Sequence, residues 1–280
     1  MSKIKYDITL HNFGLFRLDG GSMFGSVPKE LWSKKIEADE KNRITLATNS
    51  LLLRTEGRCI LLDVGNGDKW NKKLKEIYAI EHIPLPAPVA VTDIILTHLH
   101  FDHAGGISRL NDKGELELTY PKANIYLQKE NYSNALKPNL KEKASYLKDH
   151  TEILDKANLN LLEGSNEVFP GIWVHRIDGH TVGQQYIEIK NPEETIMFAT
   201  DLIPTSHHLP LPYHLGYDVC SMTTMREKEQ FLEKARLVDA VVVFQHDAKT
   251  AAGRIGIDKK GHYCLEKEVP LSTEKATVAA

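Results

Sequence analysis

The chain has 280 residues, of which 41% are hydrophobic and 26% charged, a composition typical of a globular protein with a substantial core. Its formal net charge is −3 and it lacks a long basic run, which argues against nucleic acid or an anionic membrane as a partner. No run approaches the ~20 apolar residues of a membrane span, and the polar start Met-Ser-Lys-Ile-Lys-Tyr-Asp is unlike a secretory signal. The three cysteines, Cys59, Cys220 and Cys264, are odd in number and far apart, and they predict free, buried thiols in a reducing cytoplasm.

The first half of the chain predicts a β-hairpin, a helix and two further strands. The hairpin comprises residues 44–54 and 58–64 around a Glu56-Gly57 turn. The later elements are a charged helix over residues 69–78, a buried strand over 90–97 and a short strand over 124–127. The Pro-rich stretch at residues 83–88 is short and predicts a loop rather than a domain boundary.

The second half begins with a helical pattern over residues 129–156, in which lysines and glutamates separate the apolar residues. The elements predicted after it are strands over 172–177, 185–189 and 195–199, a helix over 225–237, a strand over 240–244, and a hairpin formed by 254–257 and 262–265. Strands and helices alternate without a repeat, so we predict a single α/β domain over residues 1–280, with two packed sheets and helices outside. Residues 270–280 are predicted to form a flexible tail.

The densest chemical signal is the segment His98-Leu99-His100-Phe101-Asp102-His103, which directly follows an apolar run. Three imidazoles and a carboxylate at the end of a strand are costly to bury unless they are paired or bind metal. His98 and His100 point the same way in an extended segment, and Asp102 and His103 then begin a turn toward a second position. Gly105-Gly106 is expected to let the backbone turn sharply there. This geometry suits two adjacent metals better than one.

Three further polar residues lie just beyond later predicted strands. His180 follows the strand that ends at Ile177, Asp201 follows the strand over 195–199, and His246 follows the strand over 240–244. Because α/β sheets present their sites at strand ends, we expect these residues to join the histidine cluster. Imidazole and carboxylate ligands suit Zn²⁺, Fe²⁺ or Mn²⁺ rather than Ca²⁺ or Mg²⁺. The sequence therefore predicts two divalent transition-metal ions, with Zn²⁺ preferred and Fe²⁺ or Mn²⁺ as alternatives.

Together, His98-X-His100-X-Asp102-His103, Gly179-His180-Thr181, Asp201 and His246 resemble the complete ligand set of the metallo-β-lactamase superfamily, over residues 44–257. The resemblance implies an αββα sandwich of the α/β (α+β) class, with two mixed sheets flanked by helices. It also implies a ligand assignment. His98, His100 and His180 would hold the first metal, Asp102, His103 and His246 the second, and Asp201 would bridge the two.

Such a site would use a metal-bridging hydroxide as the nucleophile, because two metals lower the pKa of a shared water toward about 7. One metal would polarise a carbonyl and the other would stabilise the developing oxyanion or the leaving alkoxide. The predicted catalytic carboxylates are Asp102, which orients the nucleophile, and Asp201. Asp63, at a strand end, is expected to support a loop or stand behind a ligating histidine.

The motif from His100 to Gly106 is similar to that of the quorum-quenching N-acyl-homoserine lactonases, as are residues 20–28 and 201–212. An acyl lactone carries an apolar tail, for which Met23, Phe24 and Phe101 are candidate walls. Ordinary packing is the alternative for all three, and a homodimer contact is a further alternative for the Met23-Phe24 loop. These lactonases often have a tyrosine three residues after the bridging aspartate, where this chain has Pro204. The downstream candidates for that role are His207, His208, Tyr213, His214 and Tyr217.

We therefore predict a metal-dependent hydrolase that opens a lactone or cleaves a related carboxylic ester, with a small molecule as its partner. N-acyl-homoserine lactones are the candidate substrates. A glyoxalase-II-like thioesterase is the first alternative, although the chain lacks an extended basic C-terminal region. A nuclease would usually carry an extra nucleic-acid domain, for which this length leaves little room. A metal-binding sensor or interaction module is the alternative outside enzymes, and it would be expected to lack at least one of the seven ligands.

Overall fold

The computed structural model describes residues 4–85 and 89–273, which form two large mixed sheets and one two-stranded sheet. The strands are β1 (Asp7–Asp19), β2 (Arg43–Thr55), β3 (Arg58–Leu62), β4 (Asp93–Ile95), β5 (Ser108–Leu110), β6 (Leu116–Leu118), β7 (Asn124–Gln128), β8 (Asn158–Leu162), β9 (Asn166–Phe169), β10 (Ile172–Ile177), β11 (Gln184–Lys190), β12 (Thr195–Phe198), β13 (Val241–Val243), β14 (Ala252–Ile257) and β15 (Tyr263–Glu268). The helices are α1 (Gly20–Phe24), α2 (Lys29–Trp32), α3 (Lys72–Tyr78), α4 (Phe101–Ala104), α5 (Lys129–Leu136), α6 (Lys148–Thr151) and α7 (Ser221–Leu237). Short 3₁₀ turns cover Gly105–Ile107, Glu152–Lys156, Thr200–Leu202 and Ser206–His208.

The six-stranded sheet has the order β1-β2-β3-β4-β7-β8. β2 and β3 form an antiparallel hairpin, and β3, β4, β7 and β8 run parallel to one another. Gly57 in the hairpin turn has a φ of 75°, a left-handed conformation that favours glycine. The hairpin predicted around Glu56-Gly57 is thus confirmed. The parallel order places the end of β4, which leads into the histidine cluster, inside the sheet rather than at its edge.

The seven-stranded sheet has the order β15-β14-β13-β12-β11-β10-β9. β12 and β13 are parallel, whereas the other neighbouring pairs are antiparallel. Helix α7 contributes Phe231 and Leu232 to a buried cluster with Val242 and Phe244 of the sheet region. The prediction of two mixed sheets with helices is therefore confirmed.

The chain divides by its internal contacts into two compact units. One is formed mainly by Phe16–Ala47 and Gly164–Pro270 and contains the seven-stranded sheet. The other is formed mainly by Lys5–Leu15 and Thr48–Glu163, and its core contains Leu61, Ile94 and Ile125. The single domain over 1–280 stays a prediction. Of the predicted tail, residues 274–280 lie outside the described part, and the carbonyl of Ser272 accepts a hydrogen bond from Leu10 N–H at 2.7 Å.

Three elements of the structure differ from the sequence prediction. The 13-residue strand β1 was not predicted, because its buried and half-buried residues do not alternate regularly. The helix predicted over 129–156 is split into α5 and α6, and Pro138, whose ring cannot continue a helix, lies two residues after the end of α5. The charged helix α3 begins at Lys72 rather than at Lys69. Asn71 caps it there, with Oδ1 accepting from Leu74 N–H at 2.9 Å.

Gly105-Gly106 has a different role from the one predicted. Gly105 has φ −57° and ψ −38°, which is ordinary helical backbone that any residue adopts. A Cβ added to Gly105 would lie 2.1 Å from the carbonyl oxygen of Asn66, and one added to Gly106 would lie 2.2 Å from that of Val64. These glycines are therefore required by close approach of two backbone segments behind the histidine cluster, not by a sharp turn.

The cysteine prediction is partly wrong. All three thiols are free and Cys59 is buried, but Cys220 is exposed and Cys264 is half-buried. Cys220 precedes the first residue of α7, where the chain enters the helix at the surface. No helix within residues 4–85 and 89–273 combines the length and apolar character needed to cross a membrane.

Candidate metal centre

The predicted ligands lie in the segments that follow four strands. β4 ends at Ile95, three residues before His98, and α4 then carries Asp102 and His103. β10 ends three residues before His180, a 3₁₀ turn after β12 carries Asp201, and β13 ends three residues before His246. The strand-end placement expected from the sequence is therefore present at all four positions.

The structure brings all seven predicted ligands into two groups. One group contains His98, His100, His180 and Asp201, and the other contains Asp102, His103, Asp201 and His246. Within each group the candidate ligand atoms lie within 4.8 Å of one another, and every residue is buried. Only Asp201 belongs to both groups, as the assignment implied by the resemblance requires.

The two carboxylate oxygens of Asp201 face different imidazoles. Oδ2 lies 3.1 Å from Nε2 of His180, whereas Oδ1 lies 2.8 Å from Nε2 of His246. A carboxylate that bridges two metals presents one oxygen to each, so this orientation is compatible with the bridging role.

Each of three histidines is oriented through its Nδ1 atom. Nδ1 of His103 lies 2.9 Å from Oδ2 of Asp63, and Nδ1 of His246 lies 2.7 Å from the carbonyl oxygen of Ala47. Nδ1 of His180 lies 2.8 Å from Oδ1 of Asp218. An acceptor at Nδ1 fixes the proton there and leaves Nε2 as the ligand atom. Asp63 thus stands behind His103, one of the predicted ligands, as expected.

The donor set fits divalent transition-metal ions. The buried groups are imidazole nitrogens and carboxylate oxygens, the ligands that Zn²⁺, Fe²⁺ and Mn²⁺ accept in proteins. Burial lowers the pKa of His180, but the carboxylates of Asp201 and Asp218 outweigh it and raise that pKa to about 10. The cluster therefore attracts positive charge strongly, as a cation site should.

Two supporting acids were not found from the sequence. Asp218 lies in the loop before α7, and Glu142 is buried with Oε1 3.6 Å from Nε2 of His100. Asn139 Nδ2 donates to the other oxygen of Glu142. Neither acid follows a strand or belongs to a histidine motif, so no signal in the sequence separates them from ordinary surface acids.

The predicted substrate residues have different surroundings. Phe101 packs against Trp70, with ring centroids 5.1 Å apart. Phe24 is fully buried and stacks on His208 at 4.5 Å, and His208 bonds through Nε2 to the carbonyl of Met23 at 2.8 Å. These contacts favour the packing alternative for Phe24 and His208.

The remaining candidates in the loop after Asp201 are partly accessible. Tyr213, His214 and Tyr217 are half-buried, and Nδ1 of His214 lies 3.0 Å from the carbonyl oxygen of Leu215. His207 is half-buried and lines a cavity together with Thr205 and Asp247. The carbonyl of Pro204 accepts the backbone N–H of His246 at 2.8 Å, so Pro204 supports a predicted ligand through its main chain. Substrate contact by any of these residues stays a prediction.

Two mixed sheets whose strand ends carry two His/Asp groups define a protein with a candidate two-metal centre. The sequence matches the family model described as the metallo-beta-lactamase superfamily over residues 43–246. The chain therefore belongs to the metallo-β-lactamase superfamily, and the predicted fold and family are confirmed.

Known proteins share this fold and part of this sequence. The N-acyl homoserine lactonase of Bacillus thuringiensis is 26% identical over 158 residues, which cover 55% of each chain, so this chain spans about half the length of that relative. A probable metal-dependent hydrolase from Staphylococcus aureus is similar in structure with a TM-score of 0.83 and 28% identity, covering 96% of this chain and 100% of that one. AidC, a dizinc quorum-quenching lactonase, has a TM-score of 0.75 at 20% identity over 96% of this chain and 97% of its own, a similarity of fold.

The Asp218 contact leads to a testable expectation. Asp218→Asn should weaken binding of the metal at His180 by about 10- to 100-fold, because the carboxylate no longer orients and polarises the imidazole. Titration with Zn²⁺ against a competing chelator would measure the affinity. Asp112→Asn, in the exposed turn after β5, is the control. Equal affinity in the Asp218 variant and the control would contradict the supporting role.

A buried lysine holds the loop that follows Asp201. Lys228 of α7 is fully buried, and its Nζ donates to the carbonyls of Pro210 at 2.8 Å and Tyr213 at 2.7 Å. Burial lowers the pKa of Lys228 to about 7, and the charge of Asp218 offsets this only in part. Even as a neutral amine, Lys228 keeps two N–H donors for these two carbonyls.

Lys228→Met should cost roughly 2–4 kcal/mol of unfolding free energy, because both carbonyls lose their donor. The folded pKa of Lys228 lies below its ordinary value of 10.5, so the folded state binds fewer protons than the unfolded state between about pH 7 and 10.5. The contribution of Lys228 to stability should therefore rise with pH across that window. Urea unfolding at pH 6.5 and 9 would measure the difference between wild type and variant, with the exposed Lys260→Met as control. A difference that shrinks at pH 9 would oppose this prediction.

Proposed function

We propose that this protein is a hydrolase that uses two divalent metal ions to open lactones or cleave related carboxylic esters, including N-acyl-homoserine lactones. The observation that carries the proposal is the pair of buried ligand groups that share Asp201. The similarity to an N-acyl homoserine lactonase supports lactones as the substrate class. The partner that we propose for this protein is therefore a small-molecule substrate.

In this proposal, His98, His100 and His180 would hold one ion, while Asp102, His103 and His246 would hold the other. Asp201 would be the ligand common to both. Bound ions would lower the pKa of a shared water and polarise the carbonyl of the ester. We favour Zn²⁺, with Fe²⁺ and Mn²⁺ as alternatives, because first-row ions compete for the same ligands.

The side chains of the protein itself orient the reactants. Asp63, Asp218 and the carbonyl of Ala47 keep three imidazoles in one tautomer. The carboxylate of Asp102 accepts a hydrogen bond from the attacking water and so directs its lone pair toward the ester carbonyl. Phe101, which directly follows the ligand His100, is the side chain that we propose for contact with the acyl part of the substrate.

We also propose that the reaction takes place in the cytoplasm. Support comes from the three cysteines, none of which forms a disulfide. Reduced thiols are the usual state in that compartment. A homodimer remains our proposal for the assembly, with a contact outside Met23 and Phe24, because both side chains are buried within one chain.

The test combines metal analysis with a substrate panel. Protein grown with adequate zinc, iron or manganese should contain about two metals per chain, and fewer than one would oppose the two-metal centre. The panel comprises N-acyl-homoserine lactones, simple lactones, S-lactoylglutathione and phosphodiesters, each assayed before and after chelation. We expect the highest kcat/KM for a lactone and its loss on chelation. Faster thioester turnover by orders of magnitude would favour the glyoxalase-II-like alternative instead.

A further inference from the structure

A cavity of about 480 Å³ lies within the unit formed mainly by Phe16–Ala47 and Gly164–Pro270. This volume is in the range of small-molecule sites. Four cationic side chains contribute to its lining, namely Arg17, Lys35, Arg43 and Lys249. His207 and the acids Glu37, Asp39 and Asp247 also contribute. The cavity is therefore polar, unlike a typical site for an alkyl chain.

The cavity borders the segments that hold two predicted metal ligands. Thr45 lines it, two residues before Ala47, whose carbonyl accepts from Nδ1 of His246. Asp247 lines it and directly follows His246, while Thr205 lines it four residues after Asp201. A ligand in the cavity would therefore rest on the same backbone that positions His246 and Asp201.

Two of the acids in the lining already accept hydrogen bonds from other groups. Asp39 Oδ2 accepts from Arg17 at 3.0 Å and from Arg43 at 2.9 Å, and these contacts hold the pKa of Asp39 well below its ordinary range. Asp247 Oδ2 accepts from the backbone and hydroxyl of Ser206 at 2.9 and 2.7 Å. Asp247 keeps its negative charge, so the four cationic side chains and three carboxylates of the lining leave one net positive charge.

Lys35 and Lys249 are the two cationic side chains of the lining that do not contact Asp39. Within the described residues, no carboxylate lies within ion-pair distance of either Nζ. The Nζ of Lys35 lies 5.8 Å from the ring centre of Tyr213. Burial lowers the pKa of His207, and the charges of Lys35 and Lys249 lower it further, against the opposing charge of Asp247. Both ammonium groups thus act on the same imidazole, which in its neutral form offers one N–H donor.

We propose that this cavity binds an oxyanion carried by the substrate, a carboxylate or a phosphate ester, through Lys35, Lys249 and His207. The proposal rests on the proposed function for the ester that is cleaved, and it narrows the substrate to a lactone or ester with an acidic arm. Two ammonium groups and an imidazole N–H match the acceptor oxygens of such a group. Arg17 and Arg43, held by Asp39, form the fixed side of the cavity.

Direct binding of inorganic sulfate to the metal-loaded protein tests the cavity without reference to turnover. Isothermal titration calorimetry at constant ionic strength should show one saturable site, and Lys35→Gln/Lys249→Gln should weaken it about tenfold. Lys34→Gln/Lys260→Gln removes two exposed lysines that do not line the cavity and should leave binding unchanged. Absence of saturable binding, or equal binding by the two double variants, would overturn the proposal.

A matched pair of substrates tests the consequence for specificity. One acyl lactone ends in a carboxylate and the other in the methyl ester of that carboxylate. Wild type should favour the carboxylate through a lower KM by about tenfold, and the Lys35→Gln/Lys249→Gln variant should lose this preference with kcat retained. If sulfate binds but neither lactone is hydrolysed, the result would support the cavity site and refute the proposed function. If both lactones are hydrolysed with equal KM, the result would refute the cavity site and support the proposed function.

Discussion

Asp201→Ala should lose the second metal and lower kcat/KM by about a thousandfold or more. Asp201 is the single residue shared by the two ligand groups, and its two oxygens lie 3.1 and 2.8 Å from the Nε2 atoms of His180 and His246. Alanine removes both oxygens at once, so neither metal keeps its shared carboxylate. The remaining ligands of each group are unchanged, which restricts the loss to the bridge.

Elemental analysis of metal per chain and kcat/KM on the best lactone are the two measurements for Asp201→Ala. Asp112→Ala, in an exposed turn, is the control for a lost aspartate. A thermal unfolding curve of each variant separates metal loss from unfolding. A variant that retains two metals and wild-type turnover would contradict the bridging role of Asp201.

Asp63→Ala should lower the free energy of unfolding by about 3–5 kcal/mol, a larger loss than that expected for Lys228→Met. Asp63 is fully buried and accepts from the backbone N–H and the hydroxyl of Thr97, both at 2.7 Å, and from Nδ1 of His103 at 2.9 Å. It also has a φ of 57°, which aspartate and asparagine tolerate better than alanine. Loss of the carboxylate therefore leaves three buried donors without an acceptor and strains the backbone as well.

Asp63→Asn separates stability from metal binding. Asparagine keeps the shape and the tolerance of positive φ, but it removes the negative charge behind His103. We expect a smaller loss of stability and a 10- to 100-fold weaker second metal. Urea unfolding and chelator competition would measure the two effects, with Asp112→Asn as control. An Asp63→Asn variant with wild-type metal affinity would show that the carboxylate acts on the fold alone.

Local patterns were sufficient to predict the members of the two buried His/Asp groups and much of the sheet structure. An apolar strand precedes each predicted ligand segment, and this local pattern can be recognised in the sequence. The segments are the cluster from His98 to His103 and the polar residues after β10, β12 and β13. The hairpin of β2 and β3 has a short turn, and β10 has the predicted bounds. Strand-end placement is a short-range property, and parallel neighbours carry such ends to the same side of a sheet. The helix predicted over 129–156 is wrong for an equally local reason, because Pro138 disfavours helical backbone at Lys137, the C-cap of α5.

The partners of the ligands could not be predicted in the same way. Asp218 is 38 residues from His180, Asp63 is 40 from His103, and Ala47 is 199 from His246. Lys228 was likewise unremarkable in the sequence, as one of two lysines in a charged helix. A lone acid or lysine carries no signal of burial, because its neighbours in space come from distant strands and loops.

The sequence by itself determined which side chains of this protein could hold two metals, because ligand type and spacing are properties of short segments. The tertiary structure alone decided how those side chains are held. It joined Asp201 to both groups, placed Asp63 and Asp218 behind two imidazoles, and enclosed a cationic cavity beside His246. The physical reason is that hydrogen bonds and charge compensation at this site join residues far apart in the chain, and these residues meet only once the strands have paired.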